Sequence, residues 1–373
     1  VRYYIITGEA SGDLHASSLM KELKGLDANA TFRCWGGERM REQGGELVKH
    51  YRETAYMGFT DVALHLAKIR KLIAFCRKDI LLFHPDVLIL VDYPGFNLRI
   101  ARFARSKGFR VIYYISPQVW AWKSSRIRKI KAWIDHMIVI LPFEEAFYAT
   151  YDYPVEYVGH PLLDAIGPPR DTIPSSFRSI HSLDDRPVIA ILPGSRQQEI
   201  RRILPIMLSV VAQFSDYQFV IAGLSELTPA FYQTFTGSGP ARIVYDQTYS
   251  LLRNATAAMV TSGTATLETA LHEVPQVICY KGEHLSYLIA KKLIKVPYIG
   301  LVNLIMGKEL ASELIQHKLT RENLIAELQK VLEVGNRRDE MLLDYQKLKV
   351  KLGGRGASAR AAASIYRFLQ KIS

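Results

Sequence analysis

Residues 3–13 read YYIITGEASGD: the apolar and aromatic run 3–6, then a turn built from Gly8, Glu9, Ala10, Ser11, Gly12 and Asp13, then a helical pattern from about Leu14. An apolar run that passes through a small-residue turn into a helix reads as the start of a βα unit whose strand is buried on both faces. The same pattern recurs at 87–91, 110–115 and 137–140, and after a break at 188–192, 218–222, 242–245, 258–260 and 277–280. Short apolar runs separated by helical segments predict parallel strands joined by crossover helices. The expected fold class is α/β: two doubly wound, Rossmann-like domains facing each other across a cleft, with ligands at the carboxyl ends of the strands.

Between the two sets of strands, Pro168, Pro169 and Pro174 stand among Ser and Asp residues with no sustained period. This stretch reads as a linker over 164–186, between a first domain at 1–163 and a second at 187–352. A glycine turn then leads into 353–373, a terminal helix with no strand after it, expected to dock back on the first domain.

The chain has 373 residues, 49% hydrophobic and 23% charged, with no low-complexity tract. That composition excludes a disordered or disulfide-stapled protein. No apolar run approaches the roughly 18 residues of a spanning helix, and no leader pattern precedes the first strand, so a cytoplasmic location is expected. Cys34, Cys76 and Cys279 are isolated and read as buried reduced thiols. No HExxH, cysteine pair or carboxylate cluster suggests a metal, and no cofactor is expected. Forty-eight Lys and Arg against 36 Asp and Glu give a net charge of +12, which points to an acidic partner: nucleic acid, an anionic membrane or a phosphorylated small molecule.

Four loops carry the candidate chemistry. The Gly8 to Asp13 turn is acidic, which suits sugar hydroxyls better than phosphate. Ser11, Asp13 and His15 are acceptor-side candidates there, although the same turn also reads as a tight loop with Asp13 capping the helix and His15 at the surface. Strand 87–91 runs into Asp92, stopped by Pro94 and Gly95; a carboxylate at that position is a candidate general base, or a loop cap. Strand 188–192 delivers Gly194, Ser195 and Arg196, a small-residue loop whose guanidinium can clamp a diphosphate. Residues 258–261 lead into Ser262, Gly263 and Thr264 and a helix bearing Glu268, which provides a helix N-terminus for a diphosphate and a carboxylate for a ribose diol. Trp120 and Trp122, among Lys123, Arg126, Arg128 and Lys129, could stack a base or line a site for an apolar phosphorylated ligand. None of these loops is a Walker A or GxGxxG motif, which removes support for ATP hydrolysis and nicotinamide binding.

Residues 57–83 read as an amphipathic helix or helix pair. Phe59, Val62, Leu66, Ile69, Ile73, Cys76 and Ile80 form the core face, and Leu64, Lys68, Lys71, Phe75 and Lys78 the other. Lysines interleaved with protruding apolar side chains suit an anionic membrane or an acyl chain; the plainer reading is a solvated charged face.

In order along the chain stand GEASGD, VDYPGFN, YISPQVWAWK, LPFE at 141–144, VGHPLLD at 158–164, LPGSR and SGTATLE. Together they resemble the lipid-A-disaccharide synthases, inverting glycosyltransferases of the glycosyltransferase-B fold found in Gram-negative bacteria. The resemblance implies transfer of 2,3-diacylglucosamine from its UDP donor to the 6-hydroxyl of 2,3-diacylglucosamine 1-phosphate, without metal, at the inner face of the inner membrane. By the same resemblance Asp92 is the base with Glu9 beside it, Arg196 lies near the donor diphosphate, Glu268 holds the ribose and Asn303, in GLVNLIMG, lies near the nucleotide. Two motifs depart from the family pattern, at residues 14–17 and at Gly95. Another UDP-sugar enzyme of the same fold, such as a UDP-N-acetylglucosamine 2-epimerase, is the alternative. A nucleic-acid-binding protein would leave the nucleotide-sugar loops unexplained, and a homodimer stays open.

Overall fold

The computed structural model describes residues 1–54, 66–122, 126–166, 176–237, 239–283 and 296–371. The chain divides into two compact units: Val1–Ala165 together with Leu352–Ser373, and Ile166–Lys351.

The first unit holds a seven-stranded sheet built from β1 (Arg2–Ile6), β2 (Thr31–Gly36), β3 (Glu46–His50), β4 (Val87–Val91), β5 (Arg110–Tyr114), β6 (His136–Val139) and β7 (Glu156–Tyr157). Its spatial order is β3-β2-β1-β4-β5-β6-β7, with every pairing parallel. The second unit holds six strands, β8 (Val188–Leu192), β9 (Gln218–Gly223), β10 (Arg242–Tyr245), β11 (Ala255–Thr261), β12 (Gln276–Tyr280) and β13 (Glu313–Ile315), in the order β10-β9-β8-β11-β12-β13, again all parallel. The fold class is α/β with two doubly wound sheets. β4 and β8, read as VLILV and VIAIL, are buried at every position, because helices cover both faces of such a sheet.

Each sheet has one place where the connections depart in opposite directions. In the first it lies between β1 and β4; in the second, between β8 and β11. Loops that part at such a point leave a crevice at the carboxyl ends of the strands. The loops at these points are those that begin at Gly8, Asp92, Gly194 and Ser262.

Two local readings change. The first helix spans Ala10–Leu26, starting four residues earlier than expected, so Ser11, Gly12 and Asp13 are helical rather than loop. Gly12 makes this workable, since a Cβ there would lie 1.7 Å from Thr7 Oγ1. Residues 176–180, read as linker, form a helix whose Phe177 is buried in the core of the second unit. Residues 167–175 lie outside the described part.

The helix Ala357–Gln370 packs on Ala10–Leu26 within the first unit. Asp164 fixes its start: the two carboxylate oxygens accept the N–H groups of Gly356 at 2.5 Å and Ser358 at 2.8 Å. At the other flank His136 meets Ser364 at 2.7 Å, and Arg367 pairs with Glu156 at 2.8 Å. Replacing Asp164 by Ala removes the acceptor for two helix N-terminal donors, and the expected loss is about 1–2 kcal/mol of stability. Denaturant unfolding measures it, and amide exchange should show the loss concentrated in residues 357–370.

Candidate functional site

In the first unit the loops after β1 and β4 interlock. Tyr93 lies over Gly8, where a Cβ would come within 2.4 Å of the ring, so only glycine lets the two loops approach this closely. Asp92 and Tyr93 are consecutive left-handed residues, with φ of 46° and 50°. Each such non-glycine residue costs roughly 1–3 kcal/mol and must be held by its surroundings. The holding groups are visible. Asp92 N–H donates to Tyr114 O at 3.1 Å, and Asp92 O accepts from Asn97 Nδ2 at 2.8 Å and from the Tyr113 hydroxyl. The same Asn97 amide nitrogen reaches Val91 O and Ile6 O at 3.3 and 3.4 Å, while its buried Oδ1 has no partner. Three carbonyls thus fix the amide's orientation at the expense of one orphaned acceptor, worth about 1–3 kcal/mol.

The half-buried Asp92 carboxyl is pushed up to about 7, mainly because burial penalises its charge, with a further contribution from the nearby Glu9 carboxylate. A carboxylate tuned into this range can take a proton from a hydroxyl near neutral pH. The structure therefore brings Glu9 and Asp92 into electrostatic contact, with Glu9 as the N-cap residue of the first helix.

The other acceptor-side candidates have different occupations. Asp13 caps, but not its own helix. Its oxygens accept the N–H groups of Gly37 at 2.7 Å and of Arg39 and Met40 at 3.3 Å, at the start of Glu38–Glu42. His15 is buried rather than at the surface, edge-on to His160 at 6.4 Å. Burial lowers the two imidazoles to about 4 and about 3, so both are neutral. Ser11 is half-buried in the first helical turn. Trp120 donates its indole N–H to Glu144 at 3.3 Å and meets Phe143 edge-on. Glu144 also accepts the N–H groups of Ile140 and Leu141 at 3.2 and 2.9 Å, and burial raises it to about 7 despite them. Trp122 closes the short helix Val119–Trp122, and its side chain lies outside the described part, as does Lys123.

In the second unit, Arg196 is exposed at the N-cap of Gln197–Leu208. Sequence reading missed Glu199, which fills the hollow of this loop: it accepts the Ser195 N–H at 3.1 Å, and a Cβ on Gly194 would meet its Oε2 at 2.1 Å. Gly194 has φ of 116°, so both its conformation and the space require glycine. Glu199 stands three residues on from the N-cap, the place of the acid in a capping box, but Arg196 replaces the Ser or Thr that would signal it in the sequence.

Ser262, Gly263 and Thr264 form the turn into the helix Thr264–Leu271, with Gly263 as N-cap. Glu268, one turn in, accepts from Tyr249 OH at 3.0 Å, and burial raises its pKa. Asn303 has its amide engaged within the second unit. Fully buried in Leu301–Met306, it donates to Ala311 O and Glu313 Oε1 at 2.7 and 2.9 Å and accepts from Leu310 and Ala311 N–H at 2.8 and 2.9 Å. Glu313 in turn accepts the N–H groups of Ile299 and Gly300, and Ile299 O receives the Ser262 hydroxyl at 3.0 Å. Asn303 thus supports the Ser262 turn from behind.

On the helix Leu66–Phe83, Lys68, Lys71 and Lys78 are exposed, with Phe75 at 45% and Leu82 at 74% exposure. Leu64, Phe59 and Val62 lie outside the described residues. Among the described residues no helix is long and apolar enough to cross a membrane, and no three His, Cys, Asp or Glu side chains gather as for a metal.

Two doubly wound parallel sheets, each with loops at its switch point, place the chain among the two-sheet α/β proteins. Solved structures agree on the fold: UDP-GlcNAc 2-epimerase from Neisseria meningitidis bound to UDP-GlcNAc matches with a TM-score of 0.67 at 11% identity over the whole of both chains. CalG4, the calicheamicin glycosyltransferase, matches with a TM-score of 0.59 at 16% identity, over 100% of this chain and 99% of that one. In sequence, the lipid-A-disaccharide synthetase family matches residues 3–366. Lipid-A-disaccharide synthases of Geobacter metallireducens and Syntrophus aciditrophicus are 38% and 39% identical, covering 99% and 98% of this chain and 98% and 97% of theirs. The chain belongs to the lipid-A-disaccharide synthase family, glycosyltransferases of lipid A biosynthesis that use a UDP-sugar donor.

Removing the Asn303 amide strands four hydrogen-bonding groups on three residues, Leu310, Ala311 and Glu313. Asn303→Ala should cost roughly 2–4 kcal/mol of stability in chemical unfolding; a variant as stable as the parent, with only UDP affinity reduced, would instead make Asn303 a ligand contact.

Proposed function

We propose that the chain transfers 2,3-diacylglucosamine from UDP-2,3-diacylglucosamine to the 6-hydroxyl of 2,3-diacylglucosamine 1-phosphate, forming the β-1,6 disaccharide and UDP. The observation that carries the mechanism is the Asp92 carboxyl, raised to about 7 at the switch point of the first sheet. Asp92 takes the hydroxyl proton as that oxygen attacks the anomeric carbon, and the bond from that carbon to the diphosphate breaks with its electron pair on UDP. A single in-line displacement inverts the anomeric centre. Glu9 keeps the Asp92 proton affinity high, so the proton has somewhere favourable to go.

Arg196 and the helix N-terminus at Thr264 receive the charge that develops on the leaving diphosphate, and Glu268, held by Tyr249, takes the ribose diol. An epimerase reading is favoured only by fold similarity at 11–12% identity, and product analysis separates the two, since a transferase makes disaccharide and UDP together.

The helix Leu66–Phe83 is the surface for acylated, anionic substrates. Its exposed lysines pair with lipid phosphates while Phe75 and Leu82 enter the apolar boundary, giving peripheral attachment at the cytoplasmic face of the inner membrane. Phe75→Ser with Leu82→Ser should weaken cosedimentation with vesicles containing anionic lipid; binding equal to the parent rejects this surface.

The reaction itself is tested by mass spectrometry of disaccharide and UDP, with Asp92→Asn and Arg196→Ala beside the parent. Both variants should be strongly impaired, and no disaccharide from folded parent protein would overturn the assignment. Asp92 acts only when ionised. Hence kcat/KM should rise with pH through about 7 and level above it. Glu9→Gln removes a charge that raises the Asp92 pKa, so that limb should move to lower pH; a limb that stays put, or moves up, contradicts the pairing.

A further inference from the structure

We propose that Tyr113 and Asn97 are positioning residues for the transfer reaction, acting through the backbone of Asp92. The inference rests on reading Asp92 as the base. Its left-handed backbone is uncommon outside glycine, and the next residue, a bulky tyrosine, shares it. A carboxylate on such a residue points where it does because its own peptide is turned, and that peptide is gripped at its carbonyl. Asn97 Nδ2 and the Tyr113 hydroxyl both donate to this one oxygen, from the helix Pro94–Ser106 and from β5.

Both donors are fully buried, Tyr113 in the core of the first sheet and Asn97 on the helix that follows the turn. The N–H of Asp92 is tied to Tyr114 O, so the residue is held on both sides of its Cα by the neighbouring strand or helix. A tyrosine at the end of a buried strand needs only its ring for packing. Here its hydroxyl is spent on the one peptide whose orientation aims the base. Likewise the Asn97 amide is oriented for its N–H side, toward Asp92, Val91 and Ile6, although this leaves its oxygen without a partner. Holding the turn takes precedence over satisfying the side chain.

Tyr113→Phe keeps the ring and removes one grip. Since small misplacements of a catalytic group cost up to about a hundredfold in rate, kcat should fall on the order of tenfold, with KM for donor and acceptor within about twofold. The deciding comparison is the same substitution in an Asp92→Asn background, where there is no base left to aim. If Tyr113 acts through Asp92, the double variant is no slower than Asp92→Asn alone. An equal fold-loss in both backgrounds would make the hydroxyl a general structural group and overturn the proposal, as would an unchanged kcat in Tyr113→Phe. Asn97→Ser provides the same cycle through the other donor should Tyr113→Phe not fold. If Asp92→Asn itself transfers at the parent rate, the base assignment fails, and the positioning role with it; if Asp92→Asn is slow but the losses multiply, only the positioning role fails.

Discussion

The start of a helix leaves backbone N–H groups that must find acceptors, and in this basic chain acidic side chains supply many of them. Asp13 serves Gly37, Arg39 and Met40; Glu144 serves Ile140 and Leu141; Asp164 serves Gly356 and Ser358; Glu199 serves Ser195; and Glu313 serves Ile299 and Gly300. Each of these acids joins segments that would otherwise end in bare polar groups. They fix the loops at the carboxyl edges of both sheets, and so fix where the remaining chemistry can happen.

A raised pKa alone does not separate these acids, since burial raises Asp13, Glu144 and Glu199, Glu144 to about 7, but the oxygens of those three are engaged by backbone N–H groups. Asp92 and Glu268 also have raised pKa values, and neither caps a distant helix start. Asp92 is raised by burial and by Glu9, Glu268 by burial against a single tyrosine hydroxyl. Backbone N–H groups around a carboxylate stabilise its charge and offset part of the rise in proton affinity that burial causes. One short of such donors retains affinity for a proton or for a sugar hydroxyl.

Much of this was legible in the chain itself. The uninterrupted apolar runs at β4, β5, β8 and β9 show their periodicity directly, because both faces are covered. β2 was hidden by Arg33, whose charge is paired with Asp79 at 2.6 Å. β3 is a half-exposed edge strand, and β7 and β13 are two and three residues long, too short to show a period. The site loops were legible because small residues, prolines and acids follow the strands. The partner of each side chain was not. Asp13 and Asn303 have the residue types of ligand contacts, yet their hydrogen bonds go to segments 24 and 8 residues away, which only the folded chain brings near.

The helix Ala357–Gln370 belongs to the first unit although the second unit lies between them in the chain. Its groove on Ala10–Leu26 and its capping acid Asp164 are made before the second unit during synthesis; the helix is made after it. Until it arrives, the apolar surface that will receive Ala361, Ala362 and Ile365 is open, while the intervening Ile166–Lys351 unit emerges. Completion of the first unit is thus delayed by the translation of the second, and the nascent chain carries an unfinished hydrophobic face for that interval.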